Sequence, residues 1–134
     1  MWSDSPGIGL TGTAYIQQAL RRAHDADPQA LLFYNDYGAE LTSTKSNAIY
    51  AIVQDFKSRG VPIDEFGLQM HLTTNTGSLA TMESNLRRLT SLSPGVQVQI
   101  TELDVRIPVD SSGNAGAADL PTQARIYDDI VALA

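Results

Sequence analysis

The 134-residue chain contains no cysteine, which excludes disulfides, thiolate catalysis and cysteine-based zinc sites. Cations are scarce: 9 Lys and Arg stand against 15 Asp and Glu, for a net charge of −6. A nucleic-acid surface needs clustered Lys and Arg, so no nucleic-acid partner is expected. The acidity reads first as a solubility feature, and it suits a neutral polymer, which needs no cationic steering. No apolar run approaches the roughly 20 residues that span a bilayer, so no membrane partner is expected. A Gly-rich phosphate loop and a G-x-S-x-G segment are both missing. The two histidines, His24 and His71, lie far apart without a ligand pattern, so neither a metal nor another cofactor is called for. Met1–Pro6 has neither the basic region nor the apolar core of a signal peptide.

What is present is an alternation of helix-like and strand-like segments. Residues 13–26 put Ile16, Ala19, Leu20 and Ala23 on one helical face. Asp27-Pro28 ends that helix, because a residue before proline is pushed out of the α region. Leu31–Tyr34 follows as a buried strand. Residues 43–59 form a second helix with Ile49, Ile52, Val53 and Phe56 as its stripe and Gly60 as its stop. Phe66–Met70 is a second strand, and residues 79–91 a third helix through Leu79, Met82, Leu86 and Leu89. Pro94-Gly95 breaks that helix, Val96–Thr101 is a third strand, and residues 105–119 form a Gly/Ser/Asn/Ala loop. A last helix runs over 121–134. Residues 1–12 read as a loop. Helices between strands imply an α/β fold with parallel strands and right-handed crossovers.

Each strand leads into polar or aromatic residues: Asn35-Asp36-Tyr37, Gln69-Met70-His71 and Thr101-Glu102-Leu103-Asp104. In a (β/α)8 barrel the C-terminal strand ends build the active-site face. Strict alternation puts Val96, Val98, Ile100 and Glu102 on one face of the third strand, Gln69 and His71 together on the second, and Phe33, Asn35 and Tyr37 together on the first. Gln97 and Gln99 are then left facing the helix layer. Tyr37, Gln69, His71 and Glu102 can share one cleft, a set that suits glycosidic chemistry. A carboxylate can attack the anomeric carbon or stabilise its developing charge. A neutral histidine can hold that carboxylate ionised, while amides, phenols and rings bind sugar hydroxyls and faces. Taken singly, each residue has a plainer reading. A glutamate at a strand end is usually solvated, a histidine after a strand is usually structural, and Asn35-Asp36 is turn chemistry. Asp64-Glu65 reads as a solvated pair, and Trp2 packs on its own domain as readily as on a sugar.

Together, Leu32–Tyr37 after Ala26-Asp27-Pro28, Gly67–His71, and Ile100–Asp104 resemble strands five, six and seven of glycoside hydrolase family 10, the endo-1,4-β-xylanases. The resemblance covers nearly the whole chain. It implies that residues 1–134 are a partial catalytic domain, a segment of a (β/α)8 TIM barrel, without the family's first strands and its eighth. It implies Glu102 as nucleophile and His71 as the residue that orients it. Tyr37, Gln69, Asn35 and Asp104 would bind substrate or help hold the site. The implied partner is a polysaccharide, xylan or its xylo-oligosaccharides, and the implied whole protein is a secreted monomer. The family's acid/base glutamate belongs to a Trp-Asp-x-x-Asn-Glu type segment at the end of strand four, which does not occur here. Gly38 stands where the family commonly carries Asn. A non-catalytic carbohydrate-binding α/β module and an unrelated doubly wound domain remain as alternatives.

Overall fold

The computed structural model describes residues 12–92 and 96–133. Its elements follow in the order α1 (Ala14–Ala26), β1 (Phe33–Tyr37), α2 (Thr44–Ser58), β2 (Glu65–Thr73), α3 (Leu79–Thr90), β3 (Gln97–Arg106) and α4 (Asp119–Leu133). The three strands form one parallel sheet in the order β1-β2-β3. The expected loop over residues 1–12, except Gly12, lies outside the described residues, as do Trp2 and Pro94-Gly95.

Local chemistry sets the helix ends. Ser43 caps α2 reciprocally: its hydroxyl accepts from the Ser46 N–H at 3.1 Å, and the Ser46 hydroxyl accepts from the Ser43 N–H at 2.8 Å. At the other end Gly60 takes φ +61°. The Val61 N–H then reaches the Phe56 carbonyl at 2.9 Å and the Gly60 N–H reaches that of Lys57 at 3.1 Å. Val61 and Phe56 are both buried beneath this Schellman stop. Gly38, just after β1, also lies in the left-handed region at φ +65°. Asn is the other residue that tolerates that conformation, so the Asn expected from the resemblance and the Gly38 present suit the same backbone.

The core lies between the sheet and the helices. Phe66, Leu68, Met70 and Leu72 of β2 are all 1% exposed or less. They belong to one apolar cluster with Ile49, Val53 and Phe56 of α2, Met82 and Leu89 of α3 and Ile130 of α4. Each such side chain contributes about 1.5–3 kcal/mol by leaving water. On α1 only Leu20 is buried, while Ala19 and Ala23 are exposed.

Several expectations need correction. The first strand begins at Phe33 and runs through Tyr37, and Leu31 is 62% exposed rather than buried. β3 extends to Arg106, so residues 105 and 106 belong to the strand and not to the loop. α4 starts two residues early, at Asp119, leaving Pro121 still within the first turn, where its missing N–H costs nothing. Asp64-Glu65 is not a solvated pair: the Asp64 carboxylate accepts from the Leu32 N–H at 2.8 Å, and Glu65 is 7% exposed.

The largest correction concerns the faces of β3. Leu68 pairs with Ile100 but Gln69 pairs with Glu102, so one extra residue, Thr101, sits in β3 at that point. Such a β-bulge shifts the side-chain phase by one. Gln97 pairs with Glu65 and Gln99 with Gly67, on the open face of the sheet, while Val98 and Ile100 pair with Phe66 and Leu68 on the helix side. Val98 and Ile100 pack against the core. The two glutamines therefore do not face the helices, and Glu102 does not share a face with Val98 and Ile100.

Candidate active site

The register assembles the candidate residues in rows on the open face. Tyr37 pairs with Gln69, and Gln69 with Glu102, giving one row across three strands. Tyr37 and Glu102 are two strand spacings apart, roughly 10 Å. In the next row toward the strand ends, His71 pairs with Asp104. In the row below, Asn35 pairs with Gly67. All of these residues lie within strands rather than beyond them, with Thr73 and Arg106 closing the C-terminal ends of β2 and β3.

His71 joins two carboxylates. Its Nε2 lies 3.2 Å from Glu102 Oε2, and its Nδ1 bonds Asp104 Oδ2. A neutral imidazole donates from one nitrogen only, so the doubly protonated ring is the form that donates to both. The hydrogen bond to Asp104 is the main cause that lifts the His71 pKa above its usual 6.5. Partial desolvation opposes it, and the charges of Asp104 and Glu102 add to it. The ring expected to be neutral is thus drawn toward the imidazolium.

Tyr37 is 61% exposed. The Lys45 ammonium stands 3.4 Å from its ring centroid and pairs with Asp36 at 2.8 Å. One ring face is therefore occupied by a cation. Behind the sheet, burial pushes the Tyr34 phenol up to about 12, with the Asp36 charge adding to the rise. It remains a neutral donor to Asp36 at 3.3 Å.

Further residues support this face without having been singled out from the sequence. The Thr101 hydroxyl donates to Asn35 Oδ1 at 2.7 Å, over Gly67. Asn85 of α3 is fully buried; its amide donates to the Ala39 and Glu40 carbonyls at 2.8 and 3.2 Å, and its oxygen accepts from Arg88 at 2.8 Å. It thereby ties down the loop that follows Tyr37. From α4, the Gln123 amide donates to the Val105 carbonyl at 2.6 Å and the Tyr127 hydroxyl accepts from the Val105 N–H at 3.2 Å. These two side chains, one helical turn apart, hold the strand just past Asp104. The signal for Thr101 was present: polar residues at 97, 99, 101, 102, 104 and 106 show the alternation slipping one step at Thr101-Glu102. Among the described residues no cluster of His, Asp and Glu could hold a metal ion, and no helix is long and apolar enough to cross a membrane.

Over residues 1–134 the chain matches Glycosyl hydrolase family 10. It belongs to that family. Among relatives, endo-1,4-beta-xylanase A of Thermoanaerobacterium saccharolyticum is 39% identical over 127 residues, 95% of this chain and 10% of its own length. Native xylanase 10B of Thermotoga maritima superposes with a TM-score of 0.85 at 37% identity, over 97% of this chain and 39% of that one. A mutant of the intracellular T. saccharolyticum xylanase in complex with xylotriose gives a TM-score of 0.82 at 35% identity, over 97% and 38%. The family 10 chain described here thus spans about a tenth of the first curated relative and under two fifths of these solved structures. Its parallel sheet with flanking helices is a segment of the (β/α)8 barrel of those structures.

Proposed function

We propose that this chain carries the nucleophile side of an endo-1,4-β-xylanase, which cleaves internal bonds of xylan by retaining double displacement. The observation that carries the reading is the Glu102–His71–Asp104 arrangement on the open face, near the C-terminal end of a parallel sheet. Glu102 attacks the anomeric carbon to form a glycosyl-enzyme, which water then hydrolyses. His71 orients Glu102 through the contact of its Nε2 with the carboxylate. Asp104 is engaged by the other ring nitrogen, so it is no free proton donor for the leaving oxygen. A second carboxyl, about 5–5.5 Å from Glu102 in a retaining enzyme, must supply that proton from outside the residues seen here. Tyr37 stacks against a sugar on its free face, and Gln69, between Tyr37 and Glu102, binds hydroxyls. A relative solved with xylotriose supports xylo-oligosaccharides as the ligand class. The complete protein would act as a monomer, and we place it outside the cell on family resemblance alone. Fractionation of producing cells decides the location, and enzyme retained in the cytoplasm would reverse it.

The test uses a 2-deoxy-2-fluoro-β-xylobioside with a dinitrophenolate leaving group, which needs no acid catalyst. Incubated with the chain, it should add one disaccharide to the peptide containing Glu102, and Glu102→Gln should remove the adduct. The matching cellobioside should label more slowly. Xylan itself should turn over slowly or not at all, since acid catalysis supplies about 10²–10⁴-fold. Labelling at another residue would overturn Glu102 as the nucleophile, and no labelling while xylotriose binds would favour the non-catalytic binding module.

A further inference from the structure

Were Thr101 held in the regular pleat instead of the bulge, strict alternation after Gln97 and Gln99 would turn Leu103 and Val105 to the open face. Glu102 and Asp104 would then turn toward the helices. The observed register does the opposite: Leu103 and Val105 pair with Met70 and Leu72 on the core side, while Glu102 and Asp104 pair with Gln69 and His71. The bulge is thus what brings the two carboxylates to His71. Thr101 is the residue at this irregularity, and it makes a hydrogen bond that reaches across an intervening strand, to Asn35 Oδ1 on β1 at 2.7 Å. The bond passes over β2 at Gly67. A Cβ there would stand 2.6 Å from Asn35 Oδ1 and 2.9 Å from its Cγ, closer than such atoms approach. Gly67 has no positive φ to explain it; the close passage of Asn35 does.

We propose that Asn35, Gly67 and Thr101 form a positioning device that locks the β3 bulge and so presents Glu102 to its histidine. Asn35 is a positioning residue in this account, acting through Thr101, and Gly67 is the gap that lets it reach. The device concerns the geometry of the nucleophile and rests on the reading of Glu102 given above. It can nevertheless be tested without substrate.

The readout is the NMR titration of the His71 ring in the intact chain, because that ring reports directly on the nearness of both carboxylates. Wild type and Thr101→Ser, which keeps the hydroxyl, should titrate together, above the usual 6.5. Thr101→Val keeps the shape and loses the donor; its midpoint should fall toward 6.5, with amide shifts of α2 unchanged. Asn35→Ala should behave like Thr101→Val, and it decides the matter if the valine variant does not fold. A folded Thr101→Val or Asn35→Ala that titrates like wild type overturns the proposal. So does Thr101→Ser that titrates like the valine variant. Failure here would leave the fluoro-xylobioside labelling of Glu102 unaffected. Absence of labelling with a normal His71 titration would instead count against the nucleophile reading alone.

Discussion

The two faces of the central strand are built to opposite rules. On the helix side Phe66, Leu68, Met70 and Leu72 are sealed from water. On the open side the alternate residues are Gly67, Gln69 and His71, and the last of these has a side chain 41% exposed. Bulky branched side chains usually fill the interior of a (β/α)8 barrel. On this segment that interior face carries Gln97, Gln99, Gln69, Glu102 and Asp104 instead. Residues one position apart along β2 therefore answer to different demands. One set holds the fold by area removed from water, and the other holds charge and hydrogen bonds at fixed spacing with little stake in stability.

That contrast can be broken from either side. Glu102→Gln should abolish covalent labelling while shifting unfolding free energy by less than about 0.5 kcal/mol, as for an exposed site away from packing; urea denaturation beside the labelling assay measures both. Met70→Ala, one residue away from His71 but on the dry face, should cost about 2–5 kcal/mol by transfer and cavity terms, visible as a lower urea midpoint. Asn85→Ala should cost about 1–3 kcal/mol, because the Ala39 and Glu40 carbonyls lose their donor. It should also broaden the Tyr37 resonances. The smallest effects are those of pH. The folded pKa of His71 is raised, chiefly by Asp104. Its contribution is therefore present below the unfolded value and lost as pH rises through the folded one. Thermal midpoints of wild type should fall over that interval relative to His71→Gln. For Asp110 the sign is reversed. Hydrogen bonds from the Asn114 and Ser112 N–H groups hold its carboxyl below 3.8. Its contribution should vanish as acid protonates it, and amide exchange in the 109–115 turn should quicken there first.

The order of elements and the choice of strand residues were legible because they rest on short-range patterns. Gly60 behaves as a stop, and the apolar stripe of α2 is buried at Ile49, Val53 and Phe56. Asn35, Tyr37, Gln69, His71, Glu102 and Asp104 all fall on the open face. Strict alternation misplaced Gln97 and Gln99, since the bulge is a property of two strands together and one strand read alone shows only a slipped pattern. Asn85 was overlooked for a related reason. It lies at helical spacing between Met82 and Leu89 and is as buried as either, but its partners are 46 and 45 residues away. A polar residue in an apolar stripe signals such a partner without saying where it is.

Asn85 also bears on how a barrel of this kind can be cut and rejoined. Strand, loop and helix in succession look like interchangeable units, and a joint between α2 and β2 would appear clean. Yet the loop between β1 and α2 of the first unit is fastened to the helix of the second. A chimera joined there would inherit Tyr37 just before a loop whose anchor came from another parent. Such hybrids should keep their fold and lose their grip on substrate, unless the asparagine and the two carbonyls it holds are exchanged as one block.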